Sequence, residues 1–164
     1  MNCYLKPLLM FMLISFLSAS CMQAQEQSAK ELDSAPDFRL LDLNQNTVLL
    51  STYKDKQPVF LFFWTTWCPF CRKELKLLNQ MHAELVKDGL EVLAINVGER
   101  PYKVANFVSS YQLTYKVLLD QDTNVASAYE VLGVPTYVLV NKKGVIRLTS
   151  HSFPKEKYKN LILE

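Results

Sequence analysis

Histidine and cysteine are scarce in this 164-residue chain, which holds two of the first and four of the second. That scarcity excludes several chemistries. His82 and His151 lie far apart and there is no second C-x-x-C, so a structural zinc site lacks two of its four ligands and no metal is expected. Arg72 directly follows Cys68-Pro69-Phe70-Cys71, where a c-type haem attachment needs histidine. No methionine or histidine is placed to help the two thiols hold Cu(I). The chain also lacks a run of Lys or Arg, and its formal net charge is only +2. A nucleic-acid footprint is therefore missing, and no nucleic-acid partner is expected. There are no internal repeats. With 49% hydrophobic and 21% charged residues, the composition is that of one globular domain with short additions.

The first addition is N-terminal. Lys6 supplies a positive charge, and Leu8–Leu17 is an apolar run of signal-peptide length, too short for a comfortable membrane span. Ser18-Ala19-Ser20 and then Cys21 resemble a bacterial lipobox, in which the signal is removed just before a cysteine that receives lipid. The lipobox pattern prefers Leu three residues before the cysteine; Ser18 stands there, with Leu17 one step earlier. The competing reading is ordinary secretion with cleavage near Ala24. The expected organisation is a lipoprotein signal peptide over 1–20, a flexible tether over 21–35 and a folded domain over 36–164. A polar coil of the tether's length reaches roughly 20 Å. Cys3 leaves with the signal and Cys21 is consumed by lipid. Cys68 and Cys71 are then the only thiols of an exported domain. A bridge across so short a loop removes little chain entropy, so the pair is better explained by reactivity than by stapling.

Within the domain the apolar pattern changes period several times. Short apolar runs either side of Asn44-Gln45-Asn46 predict a β-hairpin, and Ser51 opens a short turn through Lys54. Val59–Trp64 is continuously apolar, as in a strand buried on both faces. From Pro69 to Lys87, Cys71, Leu75, Leu78, His82 and Leu85 recur at helical spacing, and Gly89 ends that helix. Leu90–Val97 predicts a second buried strand, parallel to the first through a right-handed crossover. Helices are expected over Pro101–Tyr111 and over Thr123–Tyr129, the latter capped by Asp122 or Thr123. A hairpin of Thr136–Val140 with Val145–Thr149 follows, then a closing helix over Pro154–Leu163.

Two thiols separated by two residues at a strand-to-helix junction can close and open a Cys68–Cys71 disulfide with little backbone movement. The thiolate is the nucleophile, and the unsatisfied N–H groups of a first helical turn favour an anion. Cys68, expected to be exposed at that turn, is the attacking thiol. Cys71, facing back toward the core, resolves the mixed disulfide. Trp67 and Phe70 read as an apolar docking surface beside the thiols, while Trp64 and His82 read as packing residues and His151 as exposed. Arg72 and Lys73 stand close enough to support the thiolate, although solvation is the usual state of such side chains.

The stretch Phe62–Glu74 (FFWTTWCPFCRKE), with Ala35-Pro36-Asp37-Phe38, Ile95-Asn96-Val97-Gly98-Glu99 and Gly133-Val134-Pro135-Thr136-Tyr137, resembles the extracytoplasmic thioredoxin-like proteins of the TlpA/ResA group over about residues 36–164. The resemblance implies an α/β thioredoxin-like fold: a central mixed β-sheet flanked by helices, with an N-terminal β-hairpin and a central helical insertion. It implies a cis Val134–Pro135 bond beside the thiols, and a Val134 backbone that pairs with an extended substrate. Phe62 takes the place of the buried acid of thioredoxins. Glu99 matches an acid of the inserted segment and, partly buried with a raised pKa, would relay a proton to Cys71; the alternative for Glu99 is a solvated loop residue beside Arg100. Substrate contacts are expected from Trp67, Pro69, Phe70, Val134 and Pro135.

The function expected is an enzyme of the bacterial cell envelope, lipid-anchored and extracytoplasmic, needing no cofactor. It would reduce protein disulfides, including those of apocytochrome c, with electrons from a membrane thiol donor. Pro69-Phe70 lacks the acid that some group members carry between the cysteines, which weakens the link to cytochrome maturation. Two other readings stay open. One is a thiol peroxidase, for which Thr65 is correctly spaced before Cys68 but Leu61 stands where that family needs proline. The other is a non-catalytic Cu(I)- or protein-binding module.

Overall fold

The computed structural model describes residues 34–155, together with 158 and 159. The signal peptide, Cys21 and most of the tether lie outside these residues. Seven strands form one mixed sheet in the order β2-β1-β5-β4-β3-β6-β7. They are β1 (Arg39–Asp42), β2 (Thr47–Leu49), β3 (Val59–Trp64), β4 (Glu91–Val97), β5 (Lys116–Asp120), β6 (Thr136–Val140) and β7 (Ile146–Ser150). Among the described residues they are joined by the α-helices α1 (Pro69–Lys87), α2 (Pro101–Tyr111) and α3 (Asn124–Ala128) and by a short 3-10 helix, Leu50–Tyr53.

The central strands β3, β4 and β5 are parallel, and β6 runs antiparallel to β3. All six residues of β3 are buried, as a strand covered on both faces requires. Its alternate side chains go to two cores. Phe60, Phe62 and Trp64 pack with Leu75, Leu78 and Leu85 of α1 and Val104 of α2. Val59, Leu61 and Phe63 pack with Val125 and Ala126 of α3 and with Phe38, Leu40 and Val48 of the N-terminal hairpin. Trp64 is fully buried, its ring centroid 5.3 Å from that of Phe107.

The helix α1 has the predicted bounds because Pro69 suits its first position and Gly89, at φ +81°, turns the chain away after it. His82 is only half-buried; Nδ1 lies 2.8 Å from Thr114 Oγ1, and Met81 takes the buried place beside it. The strand β5 is an addition to the elements expected from the sequence. The expected helical insertion also contributes this strand, and β1 pairs with it, Leu41 opposite Leu119. Of the closing helix expected over Pro154–Leu163, only Pro154, Lys155, Tyr158 and Lys159 are described, and the last two are helical. An isolated bridge lies ahead of Pro36: Ser34 pairs with Val145, and Ala35 N–H donates to the Gly144 carbonyl at 2.8 Å. The strand β7 begins one residue later than expected, with a register shift at Leu139/Val140.

The cap of α3 draws on an acid beyond the two expected residues. Thr123 sits at φ +62° and makes no side-chain cap bond. Asp122, the other expected cap, accepts from Asn124 N–H at 3.4 Å, and the fully buried Asp120, at the end of β5, adds bonds from Val125 N–H at 3.2 Å and Ala126 N–H at 2.8 Å. An acid four residues before the helix, outside the usual cap position, is hard to identify from local sequence. Replacing Asp120 with Ala leaves two buried donors unpaired. It is expected to cost about 1–2 kcal/mol, read as a lower urea midpoint at unchanged slope.

Candidate active site

The strand β3 ends at Trp64, and Thr65, Thr66 and Trp67 lead into α1. Cys68 is the residue that caps this helix. Its Sγ accepts from Cys71 N–H at 3.1 Å, the place a Ser or Asp oxygen takes at other helices. The cap brings the second cysteine to the first, and both are free thiols. The cis Val134–Pro135 bond lies across from them, and Cys68 Sγ–H donates to the Val134 carbonyl at 3.6 Å.

The exposure expected of Cys68 is not found. It is 3% exposed, with the Val134 carbonyl against its sulfur and the core cluster that includes Cys71 and Trp64 around it. Cys71 is completely buried. Burial first, and its hydrogen bond to Cys68 second, push the Cys71 thiol up to about 12. The residues flanking Cys68 and Cys71 in the chain have the opposite exposure: Trp67 is 63% exposed and Phe70 73%, and Leu132, two residues before Val134, is fully exposed. Leu132 gives no sign of itself in the sequence. A lone Leu in a loop carries no periodic signal; it stands two residues before Val134, whose carbonyl meets Cys68.

Glu99 is buried, but not with the raised pKa expected of a proton relay. Burial alone would push its carboxyl up; the Lys103 ammonium first, then Asn96 and Thr66, outweigh burial and hold it below the usual glutamate range. Its partner is not Arg100 but Lys103, at 2.6 Å. Its other bonds come from Thr66 N–H (2.6 Å), Thr66 Oγ1 (2.7 Å) and Asn96 Nδ2 (2.9 Å). Arg72, read from the sequence as support for the thiolate or as solvated, donates to the Thr66 carbonyl through Nε and Nη2, at 3.1 and 3.0 Å.

Two further groups join the site without any distinguishing sequence signal. Glu74, one turn beyond Cys71, accepts from Tyr137 Oη–H at 3.1 Å and Phe153 N–H at 3.2 Å. Exposed His151 has Nδ1 3.0 Å from the Pro135 carbonyl, so Nδ1 carries the hydrogen and steadies the cis-proline turn. Among the described residues no cluster of three or more His, Cys, Asp or Glu could hold a metal ion.

A helix-capping dithiol at the end of a buried parallel strand, faced by a cis-proline, defines a thioredoxin-fold thiol–disulfide oxidoreductase. The chain belongs to the AhpC/TSA family, which it matches over residues 32–149. It is 40% identical to the thiol-disulfide oxidoreductase ResA of Bacillus subtilis over 123 residues, covering 75% of this chain and 68% of that protein. It is also 40% identical to ResA of Geobacillus kaustophilus over 114 residues, covering 70% of this chain and 65% of the relative. The crystal structure of StoA from Bacillus subtilis superposes with a TM-score of 0.66 at 25% identity, over 77% of this chain and 96% of StoA.

The contrast between the two thiols has a direct chemical readout. With Cys71 ionising only near 12, the reduced protein at neutral pH is expected to take one iodoacetamide adduct, on Cys68. A second adduct should follow only at strongly alkaline pH or after unfolding, as peptide mass spectrometry would record.

Proposed function

We propose that the protein reduces disulfides in polypeptide substrates at the extracytoplasmic face of a bacterial membrane, to which a lipid on Cys21 tethers it. The observation that carries the redox half of this reading is the Cys71 N–H bond to Cys68 Sγ. Cys68, at the helix N-terminus, is the thiol whose anion is supported by the Cys71 N–H and the helix dipole. As thiolate it attacks one sulfur of the substrate disulfide. The S–S bond breaks, and the other substrate sulfur leaves as a thiolate that takes up a proton. Cys71 then loses its proton and attacks Cys68, giving the Cys68–Cys71 disulfide and releasing the second substrate thiol. Two electrons have passed to the substrate, and a membrane thiol donor restores the dithiol.

The buried state of Cys68 supports a polypeptide substrate. Exposed Trp67 and Phe70 flank the thiols in the chain and, with exposed Leu132 two residues before Val134, offer apolar surface to residues flanking the substrate cysteine. Pro69, Val134 and Pro135 would complete the contact, with the Val134 backbone pairing with an extended strand. Reduction of the haem-attachment cysteines of apocytochrome c is one such reaction. The resemblance to ResA proteins supports it, whereas the absence of an acid between the cysteines argues for a wider substrate range. The signal-like residues 8–17 and the lipobox support the envelope location. Among the described residues no helix is long and apolar enough to cross a membrane. A second thiol so close to Cys68 favours dithiol exchange over the single-thiol attack of a peroxidase.

The Cys71→Ser variant should hold its substrate as a mixed disulfide on Cys68, recovered from the cell envelope on non-reducing gels, whereas Cys68→Ser should trap nothing. Finding no disulfide-linked protein with Cys71→Ser would defeat the polypeptide-substrate reading. Leu132→Ser is expected to raise KM for an insulin disulfide severalfold with little change in kcat, since it removes binding surface without touching the thiols.

A further inference from the structure

The residue before Trp67 is held more completely than its place in a short loop requires. Thr66 is 5% exposed, and each of its three polar atoms is bonded to a charged side chain. Its N–H and Oγ1–H donate to the two oxygens of Glu99, at 2.6 and 2.7 Å. Its carbonyl accepts both Nε–H and Nη2–H of Arg72. An anion grips one side of the residue and a cation the other.

Both grips are anchored in regular structure. Asn96, which also donates to Glu99, lies in β4 directly opposite Trp64. Gly98, at φ +70°, reverses the chain so that Glu99 faces back across the strand ends, and its N–H is tied to the Asp120 carbonyl at 2.8 Å. A Cβ at Gly98 would come within 3.3 Å of Thr123 Cγ2 and would sit in a backbone region that disfavours side chains. Lys103 reaches the carboxylate from the first turn of α2. Arg72 belongs to the first turn of α1, the turn that Cys68 caps.

We propose that Glu99 and Arg72 are positioning residues for thiol–disulfide exchange, clamping Thr66 so that the loop Thr66-Trp67-Cys68 presents the Cys68 sulfur in one orientation. This rests on Cys68 as the attacking thiol. The reaction needs three sulfurs in line, so a small shift of the loop misdirects the attack. The clamp needs a carboxylate in particular. Each Glu99 oxygen receives two bonds, and all four partners are donors. An amide of the same shape would turn its NH2 toward two of those donors, and aspartate is one methylene too short.

The test compares Glu99→Gln, Glu99→Ala, Arg72→Lys and Arg72→Ala, each shown to be folded by circular dichroism. Both Glu99 variants are expected to lose about tenfold or more in kcat/KM for reduction of an insulin disulfide, and to move the pH midpoint of Cys68 alkylation. Arg72→Lys, which keeps one donor of two, should recover part of the activity that Arg72→Ala loses. If either Glu99 variant fails to fold, Thr66→Val replaces it: this variant removes only the Oγ1 bond and should lose activity severalfold with stability nearly intact. Wild-type kinetics and an unmoved alkylation midpoint in Glu99→Gln, or in Thr66→Val where that stands in, would overturn the clamp. The Cys71→Ser trap, run with Glu99 intact, separates the two readings. A trapped partner together with wild-type behaviour of Glu99→Gln sinks only the clamp, whereas an empty trap sinks the attacking role of Cys68 as well.

Discussion

A single backbone bond, from Cys71 N–H to Cys68 Sγ, organises this end of the molecule. A helix leaves its first N–H groups unpaired, and one of them must be satisfied. Sulfur meets that need here in the place of the usual oxygen. The structural demand of α1 and the chemical demand of the dithiol therefore fall on the same atom. Once Cys68 is the cap, Cys71 is committed to the third helical position and to the buried face, and the remaining stripe of Leu75, Leu78 and Leu85 carries that face along the sheet. The cap also explains the division of labour: the thiol at the helix end meets the Cys71 N–H, while the one behind it is completely buried and holds its proton.

The sheet supplies the other half of the arrangement. Because β3 and β4 are parallel, their ends rise together, and residues just beyond them can meet. Thr66 after β3 and Glu99 after β4 are such a pair, and Gly98 permits the reversal that brings them together. Because β6 is antiparallel to β3, the turn that begins it arrives at the same end, so Val134 and Pro135 face Cys68. Three loops from three strands converge, each directed by strand polarity.

Much of this architecture is legible in the amino-acid sequence. The all-apolar run Val59–Trp64 and the helical stripe that follows carry two strong periodicities, so β3 and α1 can be read with nearly the right bounds. The paired cysteines stand out by their spacing, and Glu99 and Pro135 by resemblance. Properties set by distant neighbours are not legible. Cys68 is buried with the carbonyl of Val134, 66 residues away, against its sulfur. Glu99 is ionised because a loop, a strand and a helix each deliver a donor to it, and no local pattern encodes that meeting. The strand β5 escapes because a five-residue, largely apolar run has no period of its own. Asp120 escapes as a cap because it sits four residues ahead of the helix it serves.

The pairing of β1 with β5 has a consequence for how the chain assembles. Leu41 opposes Leu119, so the N-terminal hairpin adjoins a strand made by the later insertion and not by its own sequence neighbours. A two-stranded hairpin is marginal in water on its own. A chain emerging N-terminus first would form this hairpin early and leave its inner edge unpaired until residues 116–120 have followed. Through that interval the exposed strand edge is open to pairing with other chains, and contacts so distant in sequence are slow to close. Vectorial delivery thus sets a vulnerable period for this domain, and its length is governed by how quickly the insertion arrives.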